Sequence, residues 1–421
     1  MWRAARADPV AAPSGAALQQ WAQNNSIELD AACSIDEATV AGLPLCLRAS
    51  GAIKRGTVVV TVPEDAWLKA PASSGDLPPW AALALELARG RGDPTGAAAF
   101  LPETPASPLG WPAEDLELLQ GSQAASTLAN YRAAVLERLP SDAGVSQEDC
   151  LWAVATVRER MHEPLIGSEL AVVPVADLVA HSRRPNVKWE IRATGLFGQG
   201  PRNLCVVATR DVAPGEELSL DYGPEKLEGQ IALDHGAYDA VAGRAGVSLT
   251  LELPGDDKMF DDKIDTLEIN GFDQAVAFEL LPRQPPSEDM LAFLRLVSLS
   301  GPDAFLMEPI FRNEAWAHMS LPVSEENEAA VCEAMGAALD AALEGIGSTP
   351  DEESAIIRAT GGRGRAGLAA AIRLGELEAL GSARRWFATR ATEEVLGQLE
   401  YYAERRLKRL GLMDKEGNNT E

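Results

Sequence analysis

Histidine and cysteine are both scarce: four and five among 421 residues. The cysteines, Cys33, Cys46, Cys150, Cys205 and Cys332, form no CxxC pair and lie far apart. That spacing excludes a zinc ribbon and argues against a disulfide framework, so a reducing compartment is expected. Aromatic residues make up only 5% of the chain. No run of about 18 apolar residues occurs, so no segment is long enough for a membrane-spanning helix. Basic residues are outnumbered 37 to 63, for a net charge of −26. Nucleic acid is therefore not expected as the main partner, because its affinity rests on neutralising phosphates. HExxH, GxSxG and Walker A are missing, and the one GxGxxG run, Gly362–Gly367, follows no expected strand, which argues against a Rossmann-type dehydrogenase or methyltransferase.

What remains is an ordinary globular balance, 46% hydrophobic and 24% charged. Residues 1–17 carry two arginines among alanines without a long apolar run, so they do not form a secretory signal. They are expected as a tail, with a transit-peptide remnant as the alternative. Thr57–Val62 is a β-branched run after Lys54-Arg55-Gly56 and reads as a buried strand. Residues 80–165 read as helices. In Ala124–Leu139, Leu128, Tyr131, Val135 and Leu139 share a face, and Ser146 caps a helix over Gln147–Met161. Strand patterns return at Glu169–Val175, Val187–Phe197, Asn203–Thr209 and Glu216–Tyr222. Strands on both sides of a helical block describe a β domain with an insertion.

Beyond residue 245 the pattern is nearly all helical, apart from a short run at Val247–Leu253. Ser287, Ser324 and Thr349-Pro350 mark helix starts, and a final stretch over Leu374–Leu410 is expected to break at Gly381. The acidic segment 255–265 reads as solvated linker. Asp177 and His181, at i and i+4, are placed to meet on a helix as a structural pair. Tyr222 ends an alternating strand before Gly223-Pro224, and pattern alone makes it a core aromatic.

The segments AVVPVADLVAHS (171–182), DVAPGEELSLDYG (211–223) and ALDHG (232–236) resemble the C-terminal half of a SET domain. WPAEDLELLQGSQ (111–123), FDDKIDTLEINGF (260–272), residues 294–328 and the ending LEYYAERRLKRLGL resemble the Rubisco large-subunit lysine methyltransferase family. The resemblance covers roughly residues 18–415. It implies an α+β fold: a knotted, β-rich SET domain (18–245) with a helical insertion (about 69–168), a linker (246–265), and an all-helical substrate-binding domain (266–415) before a short tail (416–421). It also implies methyl transfer from S-adenosylmethionine to a lysine of a plastid protein, such as the Rubisco large subunit or fructose-bisphosphate aldolase. Chloroplast localisation follows by the same route, with a protein partner docked by the helical domain and neither metal, membrane nor nucleic acid involved.

By position, Tyr222 matches the family's catalytic tyrosine. Leu43, Arg160, Asp177, Ala180, His181, Tyr222 and His235 fall where the cofactor is bound, and Trp189 and His235 where the target side chain enters. Several of these depart from the family pattern. Ala180 replaces the asparagine of an Asn-His motif, and Pro44 replaces a glycine of the loop that holds Leu43. Trp189 and His235 stand where tyrosines are expected, Ala237 where a phenylalanine packs near adenine, and Pro164 where a second arginine is expected. These departures support an alternative, a catalytically inactive SET-fold scaffold or binding subunit of a plastid complex. The altered target pocket also leaves histidine open as an acceptor.

Overall fold

A computed structural model describes residues 15–38, 45–71, 77–91, 97–139, 144–165, 169–193, 200–239, 242–308, 311 and 314–414. The chain divides into two compact units. The first takes the described residues up to Gln120, with Ala124–Arg244 and Asp351–Ile372; the second takes Gly121–Gln123, Ala245–Pro350 and the described residues from Arg373.

The β-branched run forms the strand Val58–Pro63, near the centre of a four-stranded antiparallel sheet. Its order is Glu28–Leu29, Val58–Pro63, Arg202–Ala208, Val187–Ala193. Val59, Val60 and Val62 are buried on this strand. Gly56 turns the chain into it with φ +87°, a left-handed conformation that glycine adopts without steric cost, and its N–H donates to Ala208 O at 2.8 Å. Smaller pairs surround this sheet: Cys33–Glu37 with Leu45–Ala49, and Leu68–Lys69 with Ala171–Val172.

The segment Glu216–Tyr222 shortens to the strand Ser219–Leu220, which pairs in parallel with Ala180–His181. Its neighbour Leu218 is wedged between two other segments. Its N–H donates to Leu47 O at 2.8 Å and its carbonyl accepts from Ala180 N at 3.0 Å. Parallel strands need a long crossover, here the whole of residues 182–218.

The helical insertion contains Pro79–Arg89, Gln123–Arg138 and Gln147–Arg160. Ser146 Oγ accepts from Asp149 N at 3.0 Å, the cap its sequence forecasts. Gln147–Arg160 is buried on nearly every side, including Trp152, Ala153, Val154 and Val157. The helix ends at Arg160, and Pro164 shortly beyond excludes its continuation.

The second unit is mostly helical, with Glu288–Val297, Glu325–Ile346 and the later turns of Gly364–Arg390. It is not helical throughout. Val247–Glu252 pairs antiparallel with Ala275–Leu280, from Val247↔Leu280 to Glu252↔Ala275. Residues 246–265, expected as a linker, hold that first strand and the opening of the helix Phe260–Ile269. The alternation Val247, Leu249, Leu251 packs one face of the ribbon into the core, which a solvated linker would not do. The expected break at Gly381 is also absent. Gly364–Arg390 runs through it, because one interior glycine costs a helix only about 1 kcal/mol. The tail 416–421 and most of residues 1–17 lie outside the described residues; the helix Gly15–Asn24 begins within the latter.

Candidate active site

Three pieces of the first unit converge. The end of Gln147–Arg160 delivers Glu159 and Arg160, followed by His162. The short turn Ala176–Leu178 and the strand Ala180–His181 deliver Asp177 and His181. Tyr222 follows the strand Ser219–Leu220, and the helix Glu228–His235 adds Glu228 and His235. Gly236 closes that last helix with φ +63°; a Cβ there would lie 2.2 Å from the backbone of Ala106, so only glycine permits this approach.

Tyr222 lies at the centre. Its hydroxyl donates to the Val179 carbonyl at 2.5 Å, and its backbone N–H donates to His181 Nδ1 at 3.3 Å. That bond leaves the His181 proton on Nε2, which faces Glu228 Oε2 at 3.6 Å. Burial pushes the Tyr222 hydroxyl far above its ordinary value, so it remains protonated. The ring centroids of His162, His235 and His181 lie 4.2, 4.8 and 5.0 Å from that of Tyr222. Trp189 meets His162 edge-on at 5.2 Å.

Asp177 and His181 do not pair. They lie in a 3-10 turn and a strand, where i, i+4 residues do not face each other. Asp177 instead accepts from Arg160 Nη1 at 2.6 Å, with both residues buried. Burial raises the Asp177 carboxyl against the pull of Arg160.

Arg160, Asp177, Ala180, His181, Trp189, Tyr222 and His235 are thus brought together. Leu43 and Pro44 lie outside the described residues. Ala180 gives only its backbone, whose N–H is taken by Leu218. Ala237 packs with Tyr222 and Ile231, whereas Pro164 is exposed and has no place in the cluster.

His162 was not singled out by its pattern, yet it packs against Tyr222, His235 and Trp189. A usable signal was present: one of only four histidines lies two residues past Arg160. Glu159 was missed as well. Its Oε2 accepts from Ala106 N at 3.1 Å, and burial pushes its carboxyl up to about 7.

Several buried polar atoms here make no hydrogen bond among the described residues: Arg160 Nε, Glu159 Oε1, both nitrogens of His162, and His181 Nε2, which faces Glu228 Oε2 only at 3.6 Å. Each such atom costs about 1–3 kcal/mol if left unpaired. Two donors and a carboxylate oxygen suit the charged amino-acid end of S-adenosylmethionine, so the residues present fit that cofactor. The absent asparagine at Ala180 removes one side-chain contact without opposing the fit.

The site also sets an acid limit on stability. His235 Nδ1 lies 3.0 Å from the Glu159 carbonyl. Burial, with Lys226 and Arg158 nearby, lowers its pKa from 6.5 to about 4, against the pull of that carbonyl and Asp234. Its stabilising contribution is therefore whole above pH 6.5 and is lost as pH falls toward about 4. Glu159 works in the opposite sense, its contribution being whole below its ordinary 4.5 and lost as pH rises through about 7. In His235→Gln the acid limb should flatten by on the order of 3 kcal/mol, a residue of slope remaining from His162. Urea midpoints measured from pH 7 to 4 check this; a slope equal to that of the unaltered protein would count against it.

Comparison with known proteins extends the picture to the whole chain. The SET domain model matches residues 45–223, and the Rubisco LSMT substrate-binding model matches residues 254–380. The chain is 32% identical to the chloroplastic fructose-bisphosphate aldolase lysine N-methyltransferase of Arabidopsis thaliana, over 91% of this chain and 85% of that protein. It is also 32% identical to the chloroplastic ribulose-1,5-bisphosphate carboxylase/oxygenase large subunit N-methyltransferase of Pisum sativum, over 98% and 89% respectively. A crystal structure of the SET domain of LSMT bound to lysine and AdoHcy superposes with a TM-score of 0.83 at 31% identity, covering 97% of this chain and 98% of that one. With a SET domain, a substrate-binding domain and full-length relatives at this identity, the chain belongs to the Rubisco large-subunit methyltransferase family of SET proteins.

Proposed function

We propose that the protein is an S-adenosylmethionine-dependent protein-lysine N-methyltransferase of the chloroplast, acting on the Rubisco large subunit or fructose-bisphosphate aldolase. The observation that carries this reading is Tyr222, a buried, protonated hydroxyl held by the Val179 carbonyl among Arg160, His181 and His235.

When bound, the cofactor supplies a methyl group made electrophilic by its sulfonium. The protein's own part is orientation and exclusion of water. Asp177 holds one arm of the Arg160 guanidinium, leaving the Nε donor for the cofactor's carboxylate. His181 steadies the backbone of Tyr222 through Nδ1 and offers Nε2 on its other side. A lysine amine is neutral in roughly one part in a few thousand at pH 7. Entry into a dry site walled by Trp189, His162 and His235 favours the neutral, nucleophilic form. The Tyr222 oxygen, fixed by its bond to Val179, then sets the position of the amine, and alignment supplies much of the acceleration.

The test uses the purified chain, methyl-labelled S-adenosylmethionine and the two candidate proteins, with products read by mass spectrometry. Label on a lysine is the expected result. Micromolar binding of S-adenosylhomocysteine without label in either protein would overturn the choice of targets. No binding at millimolar ligand would favour the scaffold reading. Arg160→Lys, which keeps a charge beside Asp177 but loses Nε, is the weakened control.

A further inference from the structure

The second unit carries a cleft of about 530 Å³ whose charge opposes that of the chain. Arg283, Arg385 and Arg390 line it with Trp386, Pro285 and Val395, and among the described residues no acidic side chain does so. The protein as a whole carries a net charge of −26, so a cleft lined by three arginines, of which only Arg390 has a carboxylate partner among the described residues, runs against its composition.

The neighbouring cations are already neutralised. Arg390 pairs with buried Glu328 at 2.7 Å, and Glu328 also holds Arg295. Arg384 pairs with Asp340 at 2.7 Å. Arg283 and Arg385 have no carboxylate partner among the described residues, and both are exposed.

The cleft is also held in shape. Arg283 has φ +61°, a left-handed conformation uncommon outside glycine. It is kept there by its backbone N–H, which donates to Ser382 Oγ at 2.8 Å. This bond ties the turn after Ala275–Leu280 to the helix Gly364–Arg390. Ser382, Arg385, Trp386 and Thr389, at i, i+3, i+4 and i+7, lie on one face of that helix. Half-buried Trp386, with the Arg390 guanidinium 5.4 Å from its ring, forms an apolar wall beside the two unpaired forks.

A guanidinium fork binds carboxylates through two parallel hydrogen bonds. We infer that this cleft docks an acidic segment of the protein partner, with carboxylates on Arg283 and Arg385 and a neighbouring apolar side chain against Trp386. That the partner is a methyl-accepting protein rests on the function proposed above; the chemistry of the cleft does not.

The test titrates the full chain with a fluorescein-labelled peptide of alternating Glu and Leu, its Lys–Leu counterpart, and inorganic phosphate. The Glu–Leu peptide is expected to bind, more weakly as salt rises. The double variant R283E/R385E should bind it at least about tenfold more weakly. Its S-adenosylhomocysteine affinity should be unchanged, which reports an intact fold. Equal binding of the two peptides, or no loss in the double variant, overturns the inference. So does competition by phosphate beyond that of chloride at equal ionic strength, which would assign the cleft to a phosphate group. Peptide binding without methyl transfer would refute the enzymatic reading alone; transfer without peptide binding would refute the docking site alone.

Discussion

Tyr222→Phe is expected to lower methyl transfer by about 100- to 1000-fold while changing S-adenosylhomocysteine affinity only a few-fold. The magnitude is that of deleting one preorganised polar group beside a reacting centre. The hydroxyl is positioned before substrate arrives: it is buried, protonated and donates to Val179 O at 2.5 Å. The loss should fall on kcat and kcat/KM together, because the group acts on the reacting amine and not on protein docking. Deleting the hydroxyl also leaves the Val179 carbonyl unpaired, so a stability loss of about 1–3 kcal/mol accompanies it. Single-turnover rates and a calorimetric titration on the same preparation separate the two effects. Transfer at the unaltered rate would remove Tyr222 from the mechanism.

Asp177→Ala is expected to destabilise the first unit by about 3–5 kcal/mol, the usual cost of stripping one partner from a buried ion pair. Arg160 Nη1 lies 2.6 Å from Asp177 Oδ2, and their side chains are 2% and 4% exposed. Without the carboxylate, the guanidinium is left charged in a dry site. Asp177→Asn keeps an acceptor and should cost less. A urea midpoint that falls at constant slope is the expected signature. A loss below about 1 kcal/mol would mean that the pair behaves as a surface ion pair. Cofactor affinity should fall in both variants, because Asp177 sets the direction in which Arg160 presents Nε.

How far the sequence could be read differs from residue to residue. Ser146 and Ser287 forecast helix starts, and each side chain accepts from the backbone three residues on, Asp149 N at 3.0 Å and Met290 N at 3.2 Å. Those signals are local, so a short window suffices. The pairing of Asp177 with His181 failed because it assumed a helix. Their actual neighbours, Arg160 and Glu228, lie 17 and 47 positions away, beyond any local pattern. The ribbon Val247–Glu252 with Ala275–Leu280 was half visible, as an isolated β run. Its partner strand was hidden among helical signals, and a single strand has no meaning without the edge it pairs with.

The sequence alone determined the strand-rich domain with its helical block, the helix starts, the acidic surface and, through motif resemblance, the candidate Tyr222, Arg160 and His181. The domain layout, helix starts and charge follow from periodicity, capping and composition, which act over a few residues; the three site residues follow from the resemblance alone. Only the tertiary structure decided that Arg160 pairs with Asp177, that His162 packs against Tyr222, and that Arg283 and Arg385 line one cleft with no carboxylate partner among the described residues. The first two depend on long-range burial, which selects partners by excluding water from segments far apart in the chain; the third depends on the Arg283 N–H bond to Ser382 Oγ, which joins segments 99 positions apart.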